Sequence, residues 1–151
     1  MTEGERLAQF SELVRESSLK RFEKVAPADR DWRPATDQLS FVDLLKHLID
    51  ADKWNMSILK SEKTIPRAVI RPGDAKPEDW DRYISELEIL GGLKAEFLRK
   101  MSDSVLSQEV EDWEKMGKIS KWLILVRGGL DHEIHHRGSL QTMLNLKYSK
   151  I

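Results

Sequence analysis

Trp122-Leu123-Ile124-Leu125-Val126, continuing through Arg127-Gly128-Gly129-Leu130-Asp131-His132, can be read in two ways. Five consecutive apolar residues suit a strand buried on both faces, which would put a sheet in the chain, or they open a helix. Length arbitrates. The apolar pattern continues through Leu130, Ile134, Leu140 and Met143 with no proline, which predicts one helix over about residues 120 to 145. Gly128-Gly129 costs that helix roughly 1 kcal/mol per glycine relative to alanine, and leaves room for a neighbouring helix or a ligand to come close.

Three more segments share the helical period. Leu7, Phe10, Val14, Phe22 and Val25 form one stripe, with Thr2 and Glu5 as a capping box and Pro27 as the stop, giving a helix over about residues 3 to 25. The second opens at Ser40, supported by Asp43, and carries Leu44, His47, Ala51, Trp54 and Ile58 before Pro66. His47 therefore lies on an apolar stripe. The third follows Pro77, Glu78 and Asp79 and shows Trp80, Tyr83, Leu87, Leu90, Phe97 and Met101, weakened at Gly91-Gly92. Four long helices, with no convincing strand, repeat or linker, predict a single all-α domain over residues 1–151, a four-helix bundle.

The loop lengths set the order of the helices. From about Lys60 to Pro77 roughly 17 residues are available, which extended would span more than about 50 Å, beyond the roughly 30 Å of a 20-residue helix. That segment can cross the bundle, so helices 2 and 3 run parallel and the topology is up-down-down-up.

Composition excludes several functions. The 151 residues carry 25 Lys and Arg against 26 Asp and Glu, and the two signs are spread evenly along the chain, so no basic face calls for nucleic acid. With no Cys there is no disulfide, thiolate metal site or cysteine nucleophile, and any metal must sit on His, Asp or Glu. No segment reaches the roughly 18 apolar residues of a membrane span, and Met1-Thr2-Glu3-Gly4-Glu5-Arg6 is no signal peptide, so the expectation is a soluble cytoplasmic protein without nucleic-acid or membrane partners. Trp32, Trp54, Trp80, Trp113 and Trp122 are dispersed, as core and loop anchors are.

Three of the four histidines fall in Asp131-His132-Glu133-Ile134-His135-His136-Arg137-Gly138. His132 and His136 are one turn apart on a single helix face, so two imidazoles can reach one ion, while His135 is turned about 100° from His136. His47 lies about 10 Å below the start of a descending helix 2, and the His132/His136 pair about 9 Å below the top of an ascending helix 4. The crossover topology thus brings the three to one level. Three neutral imidazoles make an open, catalytic type of zinc site; nickel, iron and manganese also accept imidazole, and Asp50, one turn from His47, would serve as a fourth ligand or an outer partner. His132-Glu133-Ile134-His135-His136 also satisfies the H-E-x-x-H of zinc proteases, but no His, Asp or Glu follows His136 to be their downstream ligand. A di-iron bundle needs a second E-x-x-H, and the residues at that spacing before His47 and His132 are Leu44 and Gly129.

Asp31-Trp32-Arg33-Pro34, then Ser40-Phe41-Val42-Asp43-Leu44-Leu45-Lys46-His47-Leu48 leading to Trp54, then Asp131 to Gly138, resemble the DinB-like (YfiT-like) superfamily of metal-dependent enzymes over most of the chain. The resemblance implies an up-down-down-up bundle, a homodimer, and a divalent metal, zinc or nickel, on His47, His132 and His136. It also implies thiol chemistry, since relatives include bacillithiol S-transferases and mycothiol-dependent maleylpyruvate isomerase. One departure is Ser139 after Arg137-Gly138, where the family commonly has Gln; here Gln stands at 141.

The expected function is metal-assisted activation of a low-molecular-weight thiol or water for attack on a small electrophilic substrate. Glu133 would be a general base or a solvated carboxylate, Trp54 a pocket wall or core packing, and Arg137 a cofactor-binding cation or a helix–helix ion pair. The alternative is a non-catalytic, metal-binding or structural dimeric bundle of stress-response type. With no Cys in the chain, any thiol must arrive as a co-substrate.

Overall fold

The computed structural model describes residues 1–60, 66–111 and 117–149; residues 61–65 of the crossover and Trp113 lie outside them. Capping boxes open the first two helices, as their sequences predict. Before α1 (Glu3–Phe22) the Thr2 hydroxyl accepts the Glu5 N–H at 3.2 Å and the Glu5 carboxylate accepts the Thr2 N–H at 2.7 Å. Before α2 (Phe41–Leu59) Ser40 and Asp43 do the same at 3.1 and 2.9 Å. Each box satisfies two of the N–H groups a helix start leaves without partners. A 3₁₀ turn at Pro77–Asp79 leads into α3 (Trp80–Arg99), which runs through Gly91-Gly92 unbroken.

The second half of the chain departs from one plain helix after a loop. A short helix α4 (Asp103–Leu106) is followed by β1 (Glu109–Glu111), paired antiparallel with β2 (Lys118–Ser120), where the sequence pattern gave no strand. Segments of three residues are too short for an alternating pattern to register. The expected helix over about 120 to 145 is helical throughout but in three parts: α5 (Lys121–Ile124), a π-helical segment (Leu125–Leu130) and α6 (Asp131–Tyr148). Ile124 and Leu125 are buried while Trp122 and Leu123 are partly exposed, so the apolar run is helical and one-sided. Phe10 also leaves its expected stripe and is 47% exposed; Ser11, Arg15 and Ser18 take the inward positions of α1.

Contacts along the helices fix their directions. Phe22 meets Trp80 edge-on at 5.9 Å while Gly4 packs on the Leu98 carbonyl, so α1 and α3 are antiparallel. Arg15 reaches Glu133 and Arg21 reaches Gln141, so α1 and α6 are parallel. Phe41 and Leu44 share a core cluster with Trp80 and Tyr83, and Leu59 shares another with Ala95 and Leu98, so α2 and α3 run together. His47 lies against His136 and Asn55 against Gly128, so α2 and α6 oppose. The bundle is up-down-down-up, with one apolar cluster toward each end.

The π segment sets the facing of α6. The Asp131 N–H reaches back five residues to the Val126 carbonyl, and this wider turn inserts one extra residue into the helical register. Extended regularly, the buried stripe of Lys121, Ile124, Leu125 and Gly128 would next bring His132 and His135 inward; instead Glu133, Leu140 and Leu144 are buried. His132 and His136 are thereby left on the flank that faces α2.

Candidate metal centre

The three predicted ligands come together. The Nε2 atoms of His47, His132 and His136 form a triangle with every side 3.0 Å, their rings crossing at 68° to 84°. Among the described residues this is the one group of three or more His, Asp or Glu side chains placed to share an ion.

The triangle itself fits a cation. A neutral imidazole nitrogen is either a donor or an acceptor, and three mutually touching atoms of two kinds must leave at least one pair alike. At least one 3.0 Å contact is therefore repulsive between the side chains alone, and three lone pairs turned on one positive ion relieve all of them. His47, His132 and His136 would hold such an ion through their Nε2 lone pairs, and three protein ligands would leave it free to take water or a thiol as a further ligand.

Electrostatics keep the three imidazoles neutral. Burial depresses His132 to about 4, with His47, Arg67 and His135 adding to the shift, and depresses His136 to about 3, with His132, His47 and His135 adding. Burial also lowers His47, partly opposed by Asp50 and reinforced by Arg67. At neutral pH all three can ligate. In the metal-free protein these groups bind fewer protons than in the unfolded chain, whose histidines titrate near 6.5, so stability is full above about 6.5 and falls as pH drops toward 4 and 3. Urea midpoints of metal-free protein between pH 7 and 4.5 are expected to fall, and the fall to flatten in the His132→Gln/His136→Gln variant; equal slopes would refute it.

Trp54 is buried beside the triad against Gly128, where a Cβ would lie 2.8 Å from the Trp54 ring, so only glycine lets the indole pack there. The side chain of Asn55 donates to the Gly128 carbonyl at 2.8 Å, tying α2 to the π segment at the same level. Among the described residues the triad borders a small cavity and a larger cleft. A cavity of about 10 Å³ is walled by His47, His132, Asp50, Trp54 and Arg67. A cleft of about 510 Å³ has His135 and His136 on its wall, with Leu44, Met143 and Pro34 making it largely apolar.

Other expectations find different places. Asp50 borders the small cavity but is outside the ligand cluster, its carboxylate held by Lys46 one turn away. Among the described residues the His47 Nδ1 atom is buried without a hydrogen-bond partner. Arg137 is half-buried and forms no ion pair among the described residues. Glu133 is neither solvated nor available as a base, because Arg15 takes both its oxygens at 2.9 and 3.0 Å and Ser18 Oγ lies 3.0 Å away. The one-residue π shift is what turns it inward.

Sequence reasoning missed what Glu133 belongs to. Arg15, Asp52, Lys94 and Glu133, one from each long helix, form a buried, neutral tetrad, with Arg15 to Asp52 at 2.6 Å and Lys94 to Asp52 at 2.7 Å. Burial would raise Asp52, but Lys94 and then Arg15 outweigh it and hold the carboxyl below its ordinary value. A signal was present: each charge interrupts the apolar stripe of its helix, and Gly91 leaves the space that the Arg15 side chain fills.

The sequence profile of the DinB superfamily matches residues 11–140. The chain belongs to the DinB superfamily. A DinB-like protein of Bacillus subtilis, YjoA, shares the fold with a TM-score of 0.75 at 15% identity, over 96% of this chain and 93% of that one. YfiT of the same organism, described as a probable metal-dependent hydrolase with an unusual four-helix bundle topology, aligns with a TM-score of 0.69 at 15% identity, over 96% and 90%. No curated protein matches the sequence. Among the described residues no helix is long and apolar enough to cross a membrane.

Proposed function

We propose that this DinB-superfamily protein is a metal-dependent enzyme in which His47, His132 and His136 hold a divalent ion, zinc or nickel, and a thiol or water attacks a small electrophilic molecule. The observation that carries this reading is the 3.0 Å triangle of three neutral Nε2 atoms. When bound, such an ion supplies Lewis acidity that lowers the pKa of water or a thiol toward neutrality. The chain's own part is to hold three lone pairs in place on two helices, to exclude bulk water with Trp54, and to offer the apolar cleft beside His136 to the electrophile. The description of YfiT as a probable metal-dependent hydrolase supports the water-driven form. The absence of Cys requires the thiol-driven form to take its sulfur from a co-substrate.

Protein purified without a histidine tag is expected to carry close to one equivalent of metal per chain. It should consume an electrophilic aryl halide or an activated ester, with the metal-stripped protein inactive. Rates that rise with bacillithiol, glutathione or coenzyme A would assign S-transfer, and rates indifferent to all three would assign hydrolysis. A parent that binds no metal would sink the proposal.

A further inference from the structure

The crossover between α2 and α3 does more than span the bundle. Its far end is pinned to the start of α2, where the Asp43 carboxylate accepts the N–H groups of Gly73 and Ala75 at 3.0 and 3.1 Å. Gly73 has φ of 89°, a left-handed turn that favours glycine. Upstream of this anchor, Arg67 lies over the buried Trp54, its guanidinium carbon 4.3 Å from the ring centroid. A Cβ at residue 128 would crowd the Trp54 ring and meet Arg67 Nη2 in ordinary van der Waals contact, so Gly128 makes room for the indole on which Arg67 stacks. Arg67, Trp54, His47 and His132 then wall one cavity.

Arg67 has no carboxylate partner among the described residues. Stacking occupies the face of a guanidinium and leaves its edge, with up to five N–H donors, free for a planar or tetrahedral oxyanion. The nearest carboxylate in that wall, Asp50, is already held by Lys46. A cation beside a site for a dication repels it, and an anion between them relieves that repulsion. With only about 10 Å³ free, room for roughly one water, the anion must meet Arg67 at the mouth of the cavity.

We infer that Arg67 is a specificity-determining residue that receives the oxyanion group, carboxylate or phosphate, of the small molecule handled at the histidine triad. This rests on the triad being a metal site, and the test separates the two. Metal content is measured first on the parent, Arg67→Met and Arg67→Lys, methionine keeping the packing on Trp54. Each metal-loaded protein is then titrated with inorganic phosphate and with acetate by calorimetry. The expected result is unchanged metal content in all three, anion binding weakened about tenfold or more in Arg67→Met, and partial retention in Arg67→Lys. Equal phosphate affinity in parent and Arg67→Met at full metal content, or no binding to the loaded parent at millimolar phosphate, overturns the role of Arg67 and leaves the metal site standing. A parent without metal removes the triad reading and this inference with it.

Discussion

Replacing His132 by alanine is expected to weaken metal binding by more than about 100-fold, since even residues behind a ligand change affinity by roughly 10- to 100-fold. The fold should survive, because His132 is half-buried and the helix around it is held by Leu130, Leu140 and Leu144. Metal-free His132→Ala should be no less stable than the metal-free parent. In a triangle of three 3.0 Å contacts at least one is repulsive, and deleting a corner removes the conflict. The difference appears on adding metal. At 100 times its Kd a ligand that binds only the folded state stabilises it by about 2.7 kcal/mol, so thermal unfolding of the parent should shift upward while the variant does not respond. His135→Ala is the control, since His135 is outside the ligand cluster and should leave the shift intact. A His132→Ala variant that keeps the parent's metal response would remove His132 from the site.

The meeting of His47, His132 and His136 was readable in the sequence because it depends on quantities that sequence carries well. A four-residue spacing puts His132 and His136 on one helix face whatever the surroundings, and a long crossover fixes the direction of α2, hence the level of His47. What could not be read depends on helix rotation. One extra residue in the π segment turns α6 by roughly 100°, and with it Glu133 passes from a solvated flank to the centre of the bundle. Gly128-Gly129 marked the place as permissive of close approach, and Trp54 does approach Gly128, but two glycines do not specify a wider turn. The charges at 15, 52, 94 and 133 were obscured for a related reason. Singly, each only interrupts the apolar stripe of its own helix, and only when the four stripes are known to face one another do two positive and two negative groups become a neutral set.

That neutral set predicts the largest effect on stability. Lys94→Met, a change of similar length at a side chain with no exposure, should destabilise the protein by about 3–5 kcal/mol, because Arg15 alone is left against the buried carboxylates of Asp52 and Glu133. Burial pushes the Asp52 carboxyl up and Lys94 is the foremost of the groups that hold it down, so without Lys94 that pKa rises. The penalty of Lys94→Met should therefore shrink as pH falls and the carboxyl takes up a proton, whereas an ordinary packing defect would cost the same at each pH. Urea unfolding of parent and variant at two pH values reads both quantities. Replacing all four residues by Met and Leu of matching volume should cost far less than the single change, since no charge is then left unpaired in the interior. A quadruple variant as unstable as Lys94→Met would mean that lost packing, and not an unpaired charge, sets the penalty. The tetrad sits between the two apolar clusters, and only parallel α2 and α3 bring residues 52 and 94 to the level of 15 and 133. Loss of the pairing should therefore be felt across all four helices as a single cooperative transition at a lower midpoint.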